Sequence, residues 1–102
     1  MAQFDVYRNP RRSGFPLLLD VQADLLADLA TRVVVPMAPK KTWEVARLSR
    51  LNPTVVFQRT EYVLVFQDLA AVPRSVLETP IGSFASHRVD LIAAIDMLFT
   101  GI

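Results

Sequence analysis

The side chains that could do chemistry in this 102-residue sequence are few. The chain has one histidine, His87, directly after Ser86, and it has no cysteine. A single histidine and the lack of thiols exclude histidine clusters and thiolate metal ligands, so the sequence predicts no metal site. Adjacent residues on a helix point in different directions, so Ser86 and His87 are not predicted to act as a nucleophile and its base.

A second group of chemically notable residues is acidic and lies at the end of the sequence. Asp96 and the carboxylate of Ile102 close a predicted helix, and the last cation before them on that helix is Arg88. A helix carries partial negative charge at its C-terminus, so each exposed anion there is unfavourable by roughly 0.3–1 kcal/mol. The arrangement favours receiving an arginine or lysine from a partner. The alternative is that Ile102 packs into its own core and the charges are solvated.

Composition describes the domain that must position these groups. Hydrophobic residues make up 52% and charged residues 21%, with a formal net charge of +1. This balance predicts one ordered domain over residues 1–102 and is too weakly basic to indicate a nucleic-acid binder. The sequence has no apolar signal segment and no apolar run long enough to cross a bilayer, so we expect no membrane partner and a cytoplasmic location.

Alternating polarity and β-branched residues predict a mainly β protein. Strands are predicted at residues 3–8, 17–22 and 31–36, and an antiparallel hairpin at 54–58 and 62–66. A further short strand is expected near Ala71. The segment 23–30 fits either one helical turn or an irregular connection. A short amphipathic helix is predicted over 41–51, with Trp43 and the leucines facing inward.

The last predicted element is a helix that Ser83 or Ser86 could cap. At 100° per residue, one side carries the residues expected to face the sheet: Phe84, Leu91, Ile92, Ile95, Leu98 and Phe99. The opposite side carries Val89, Ala93, Met97 and Thr100. A helix that is apolar nearly all round is buried on more than one face. We therefore expect a homodimer whose interface includes Val89, Ala93 and Met97.

Five segments, in order and with matching spacing, give the chain a more specific resemblance. They are QFDVY from Gln3, LDVQADLL from Leu19, RVVVP from Arg32, DLAAVPRSVL from Asp68 and SHRVDLIAAIDMLFTGI from Ser86. Through them the chain resembles the CcdB family, the gyrase-poisoning toxins of type II toxin–antitoxin modules. The resemblance implies a small five-stranded SH3-like barrel or sheet of the CcdB and MazF type, with a long C-terminal helix, paired as a two-fold dimer.

The resemblance also implies a function that needs no catalytic residue and no cofactor. Such dimers bind the A subunit of DNA gyrase and trap the enzyme on cleaved DNA. A CcdA-like antitoxin with a disordered tail wraps the toxin and frees gyrase. The toxin–antitoxin complex represses its own operon, so operator DNA is a partner only through that complex.

The resemblance places the gyrase-binding surface where the helix ends of both protomers meet. It maps onto Leu25, Leu26, Asp96, Phe99, Thr100, Gly101 and Ile102. Thr100 is a departure, because the best-known member has a tryptophan there that stacks on an arginine of gyrase. Losing that contact costs about 0.5–2 kcal/mol per protomer. Our hypothesis is that Asp96 and the carboxylate of Ile102 pair with the same arginine instead.

Two other functions are kept open. A ribonuclease toxin of the MazF or Kid kind shares the barrel, and fold alone does not assign function. Its basic groove would come from Arg8, Arg11, Arg12, Lys40, Lys41, Arg47 and Arg50. That family's sequence hallmarks are not seen, and basic loop residues are usually a solvated face. A non-toxic relative that only binds an antitoxin is favoured by Thr100, with Arg11, Arg12, Lys40 and Lys41 steering an acidic tail.

Overall fold

One antiparallel sheet followed by one α-helix organises the chain. The computed structural model describes residues 1–11, 14–44 and 47–102. Within these residues seven strands form: β1 (Asp5–Arg8), β2 (Leu17–Asp20), β3 (Thr31–Pro39), β4 (Thr54–Phe57), β5 (Thr60–Leu64), β6 (Ala70–Pro73) and β7 (Gly82–Ser83). Helix α1 (Arg88–Thr100) comes last. The predicted fold class, mainly β with a C-terminal helix, is confirmed, although seven described strands replace the five that the resemblance implied.

The long strand β3 joins the two halves of the sheet, whose order is β4-β5-β3-β2-β1-β7. Its first residues pair with β6, from Thr31 to Val34, and its last residues pair with β5, from Met37 to Pro39. Pro36 lies between these two stretches and has no N–H to contribute to a ladder. Its carbonyl accepts the Val65 N–H at 3.0 Å, so the proline stands where β3 changes partners.

Local backbone geometry explains where several predicted strands begin and end. The predicted hairpin is confirmed as β4–β5, and its two turn residues, Gln58 and Arg59, have φ of 49° and 68°. Left-handed conformations at both positions suit the twist of a two-residue hairpin turn. β1 begins at Asp5 because Phe4 has a φ of 71°. The predicted strand near Ala71 is β6.

The two faces of the sheet bury different cores, because successive strand residues point to opposite sides. The larger core joins strand residues to α1 and includes Val6, Leu17, Leu19, Val35, Met37, Leu91 and Ala94. The smaller core lies on the other face and consists of Tyr7, Leu18, Val34 and Leu77. The helix therefore rests on the larger apolar face, and this packing fixes the direction in which its end points.

The amphipathic helix predicted over 41–51 is wrong for the described residues. Lys40–Thr42 form a single 3-10 turn, and the following residues do not continue it; residues 45 and 46 lie outside the described ranges. Trp43 is half-buried, with its ring centroid 6.1 Å from that of Phe15. Leu51 packs on the larger core, but Leu48 is 64% exposed, so the prediction that it faces inward is wrong. Near the end of the segment, the Asn52 side chain accepts the Leu48 N–H at 3.2 Å, which replaces helical pairing by a side-chain contact.

The start of α1 also differs from the prediction. The helix begins at Arg88 after a 3-10 turn, Ala85–His87, and His87 precedes it without a side-chain capping bond. The Ser83 hydroxyl accepts the Ala85 N–H at 3.1 Å just before the 3-10 turn, and Ser86 lies inside that turn, so neither serine caps α1 as predicted. With thirteen residues, α1 is too short to span a membrane, and the same holds for every other described helix.

Candidate functional site

The end of α1 is formed by a glycine in a left-handed conformation. Gly101 has a φ of 75°, and its N–H donates to the Met97 carbonyl at 3.1 Å. Apart from its chain neighbours, a Cβ added to Gly101 would meet no atom of residues 1–11, 14–44 and 47–102 within 4 Å, so the requirement for glycine comes from the backbone conformation and not from crowding. Glycine is the residue that adopts this conformation most readily, and here it directs Ile102 away from the helix axis.

The last turn of α1 presents apolar side chains to solvent. Phe99 is 69% exposed and Ile102 is 76% exposed. The prediction that Phe99 faces the core is wrong, although Leu91 is fully buried and Ile92 and Ile95 pack on the core as predicted. Phe99 lies on the same side of the helix as Ile95, but the core ends before the last turn. Apolar side chains grouped in this way mark interaction surfaces.

A second exposed apolar group lies on a 3-10 turn, Asp24–Leu26, in the segment that the sequence left open. Leu25 is 94% exposed and Leu26 is 46% exposed. The turn is nevertheless held at both ends. Gln22, which is buried, donates to the Leu26 carbonyl at 3.0 Å, and Asp24 accepts the main-chain N–H of Gln3 at 2.7 Å. A fixed turn that displays two leucines is suited to contact with a partner.

The hydrogen bonds of the described residues connect this turn to the beginning of α1 and not to its end. Gln3, whose N–H binds Asp24, also accepts a bond from the Arg88 guanidinium at 2.8 Å. Leu25 and Leu26 are thus held relative to the first turn of the helix, whereas Phe99 and Ile102 lie in and beyond its last turn. One chain presents the two apolar groups from two separately anchored elements.

Two polar residues of the last turns have different roles. Thr100 donates its hydroxyl to the Asp96 carbonyl at 2.7 Å, a bond within the helix that leaves the hydroxyl satisfied. The Asp96 side chain is exposed, and among the described residues it has no salt-bridge partner. No basic residue lies in the last turn of α1. Asp96 is therefore an anion that a partner's cation can reach.

Arg50 supplies the helix end with a cation that the sequence analysis missed. Its guanidinium donates to the main-chain oxygen of Ile102, from a loop 52 positions earlier in the chain. The expectation that both anionic groups at this end lack a cation of their own is therefore wrong for Ile102. The sequence hardly indicates this contact, because Arg50 and Ile102 lie far apart along the chain. The one indication was that the last turn of the helix has no basic residue, so that a cation from another segment would be favourable there.

The face of α1 that was predicted to pair two chains is partly covered by the same loop. Met97 lines a groove of about 240 Å³ with Leu48, Ser49, Arg50 and Leu51. Ala93 is half-buried beside the same segment, whereas Val89 is 83% exposed. The predicted interface residues thus share one side of α1, but only Val89 is fully free. The homodimer remains a prediction.

The comparison with protein families decides the assignment. The family model described as CcdB protein matches residues 3–101 of the chain. The chain belongs to the CcdB family. This is a family of gyrase-targeting toxins of toxin–antitoxin systems, and it is not a family of catalytic enzymes. The match includes every residue of the candidate surface except Ile102.

The histidine and several basic residues that the sequence offered for other chemistry make contacts within the domain. Among the described residues, no three potential metal-ligating side chains lie together. His87 packs its ring at a steep angle against Phe84, with centroids 5.2 Å apart. Its Nδ1 lies 3.3 Å from the Ser86 hydroxyl, so the expectation that these two side chains point apart is wrong, because both residues lie in a 3-10 turn and not in the α-helix. Of the basic residues considered for a nuclease groove, Lys40 pairs with Glu61 at 3.5 Å, and Arg47 and Arg50 bind main-chain oxygens. Arg12 lies outside the described ranges.

A buried ion pair on the far face of the sheet also escaped the sequence analysis. Arg32 and Asp20 are both fully buried, and the Arg32 Nε donates to Asp20 Oδ2 at 2.9 Å. Burial raises the pKa of the Asp20 carboxyl, and the hydrogen bond from Arg32 acts against that rise. The only signal in the sequence was a charged residue in each of two strands that are otherwise apolar. The pair belongs to the fold and not to the docking surface.

Proposed function

We propose that the chain is the toxin of a type II toxin–antitoxin system that binds the DNA gyrase A subunit and traps the cleaved-DNA complex. A CcdA-like antitoxin neutralises it, and the two together repress their operon. Family membership supports the general class. The observation that carries the finer proposal is the exposed apolar end of α1, since Phe99 and Ile102 are left uncovered by the described chain.

The proposed gyrase surface combines apolar contacts with one anion. The exposed apolar area of this surface comes from Phe99, Ile102, Leu25 and Leu26. Apolar side chains that become buried when a complex forms often contribute most of its binding energy. Asp96 supplies the charge, and it pairs with an arginine of gyrase. Thr100 has no ring to stack on that arginine. The sequence led to the hypothesis that both Asp96 and the carboxylate of Ile102 pair with the gyrase arginine. Because Arg50 already binds the main-chain oxygen of Ile102, we now assign that pairing to Asp96 alone.

The direct test is a DNA-cleavage assay with purified gyrase. We expect the chain to cause accumulation of linear DNA that is released after denaturing the gyrase subunits. Incubation with RNA is the control for the nuclease alternative, since RNA cleavage would indicate the MazF-like function. If neither linear DNA accumulates nor a gyrase A fragment binds, the proposed function is wrong.

The role of Asp96 is tested with a matched pair of charge changes. Asp96→Asn and Asp90→Asn each remove one exposed carboxylate from α1; Asp96 lies four residues before the end of the helix, and Asp90 lies in its first turn. We expect Asp96→Asn to weaken binding to a gyrase A fragment about 5-fold, because it removes a charge pair at the interface. Asp90→Asn should have little effect. Equal affinities of the two variants would contradict the electrostatic pairing.

Pairing of two chains through α1 belongs to the same proposal. Val89 is 83% exposed on the helix, and Val56 is 67% exposed on β4. We expect Val89→Glu to shift the chain from dimer to monomer in sedimentation experiments, while Val56→Glu leaves the dimer intact. Sedimentation of the wild type as a monomer at micromolar concentration would contradict pairing.

A second candidate is a non-toxic relative that binds only the antitoxin. The specific observation in its favour is Thr100, whose hydroxyl is used within the helix and which offers no ring to a partner. Expression without an antitoxin separates the two functions. Filamentation with induced DNA damage indicates gyrase poisoning, whereas normal growth together with antitoxin binding indicates the non-toxic function.

A further inference from the structure

The loop before β4 is fixed from within the domain by one buried amide. Asn52 is fully buried. Its side-chain nitrogen donates to the Leu64 carbonyl at 3.2 Å and to Gln67 Oε1 at 2.6 Å, and its side-chain oxygen accepts the Leu48 N–H at 3.2 Å. The Asn52 N–H also donates to the Leu48 carbonyl at 2.6 Å. One side chain therefore ties the turn 48–52 to the end of β5.

This anchored turn brings Arg50 to the end of α1. Leu51 packs on the main core, and Leu48 to Leu51 line a groove with Met97, so the turn lies against the last part of the helix. From there the Arg50 guanidinium reaches the main-chain oxygen of Ile102. A cation at a helix C-terminus complements the partial negative charge of the last carbonyls, and the helix provides none itself.

We propose that Arg50 is a positioning residue, which holds Gly101 and Ile102 in the conformation that docks to the gyrase A subunit. This inference rests on the proposed function. Gly101 is held by its N–H bond to the Met97 carbonyl, whereas Ile102 is 76% exposed and, among the described residues, has only the Arg50 guanidinium as a hydrogen-bond partner. A glycine followed by an unrestrained residue populates many conformations, and ordering them on binding costs entropy. By ordering them beforehand, Arg50 lowers that cost and slows dissociation of the complex.

The test combines the order of the helix end with the kinetics of gyrase binding. Arg50→Gln is compared with wild type by ¹⁵N relaxation at Ile102 and by binding to a gyrase A fragment. We expect the Ile102 order parameter to fall below about 0.6, a value typical of flexible backbone. We expect the dissociation rate to rise 5- to 20-fold while the urea midpoint of unfolding stays unchanged.

Two further variants provide the controls. Arg47→Gln removes a neighbouring guanidinium from the same loop, one that binds the Asn52 carbonyl at 3.4 Å, and should change the dissociation rate less than 2-fold. Arg50→Lys retains the charge and should restore part of the order and of the slow dissociation.

Two outcomes overturn the inference. One is an unchanged Ile102 order parameter in Arg50→Gln, and the other is a disordered Ile102 with an unchanged dissociation rate. If the wild-type chain does not bind the gyrase fragment, the proposed function fails. The relaxation data then still decide whether Arg50 orders the end of the helix.

Discussion

Two arginines of this chain bind oxygens of their own chain in opposite surroundings. Arg32 and Asp20 are fully buried on the face of the sheet that carries the smaller core. Arg50 and Ile102 are both exposed, at the end of α1. An arginine–oxygen contact therefore has no fixed value. In the sheet the contact compensates two charges that have lost their water, whereas at the surface it lies at an apolar end that we propose docks to a partner.

Burial explains why the first contact is the sensitive one. The charges of Arg32 and Asp20 have lost their water, and each is compensated mainly by the other. Removing one partner leaves the other charge buried and uncompensated. At the exposed helix end, water replaces the lost contact, so little folding free energy is at stake.

The largest expected effect comes from breaking the buried pair. Asp20→Asn should lower the free energy of unfolding by about 3–5 kcal/mol, because the Arg32 charge is left without its counter-ion. Urea denaturation followed by circular dichroism measures the change. The Lys40–Glu61 pair is the control, since its side chains are 48% and 45% exposed. Lys40→Met should cost less than about 1 kcal/mol. Equal losses in the two variants would remove the distinction between buried and exposed contacts.

The next largest effect is expected in binding and not in stability. Phe99→Ala removes an exposed ring from the helix end and should raise the Kd for a gyrase A fragment about 30-fold, or about 2 kcal/mol, as for a central aromatic anchor. Its free energy of unfolding should stay within about 0.5 kcal/mol of wild type. Val56→Ala, at a site 67% exposed on β4, is the matched control for binding. A Phe99→Ala variant that loses stability but keeps its affinity would assign the ring to the core.

Local patterns predicted the sheet well because strands β1 to β5 form from short-range signals. β-Branched residues and alternation indicated β3, and a polar turn between two such runs indicated the β4–β5 hairpin. Boundaries were less accurate where a single backbone angle decides them. Phe4, with its φ of 71°, shortens β1, and no apolar pattern shows this conformation.

Contacts between distant segments were beyond the sequence. The amphipathic pattern of 41–51 predicted a helix, but buried Asn52 takes the Leu48 N–H and ties the turn to Leu64 and Gln67. The same turn delivers Arg50 to Ile102. Phe99 was placed inward because helical periodicity gives the side of a residue but not where the core ends along the axis. The residues of the candidate surface were taken from the family resemblance. The structure adds that the apolar side chains of this surface are exposed and that Arg50 contacts Ile102.

A smaller effect is expected from two glycines with nearly the same backbone conformation. Gly101 and Gly14 have φ of 75° and 78°, and a Cβ added at either would have no atom of the described residues within 4 Å apart from its own chain neighbours. Alanine at either position should therefore cost a similar amount, about 1 kcal/mol, from the left-handed conformation alone. Only Gly101→Ala should weaken gyrase binding, because it redirects Ile102. Equal binding by both variants would show that the conformation after Thr100 does not matter for docking.

The smallest effect concerns Tyr7, which lies beside the buried pair. Its hydroxyl is buried and has no hydrogen-bond partner among the described residues. Burial raises the pKa of the Tyr7 hydroxyl, the charges of Asp5 and Asp20 add to the rise, and Arg32 lowers it in part. The unfolded tyrosine ionises first, near pH 10. The stability contributed by Tyr7 is therefore complete below pH 10 and is lost as the pH rises through the pKa of the folded state.

Tyr7→Phe should remove this alkaline loss. At pH 7 the variant should unfold within about 1 kcal/mol of wild type, because the hydroxyl it removes makes no described hydrogen bond. Above pH 10 its free energy of unfolding should fall less steeply than that of wild type in urea titrations at successive pH values. Tyr62→Phe, at a half-buried position on β5, is the control at pH 7 for the loss of a tyrosine hydroxyl. If the free energy of unfolding falls equally steeply above pH 10 in Tyr7→Phe and in wild type, water reaches the Tyr7 hydroxyl in the folded protein. The smaller core and the end of α1 would then differ less in solvent exposure than their static burial indicates.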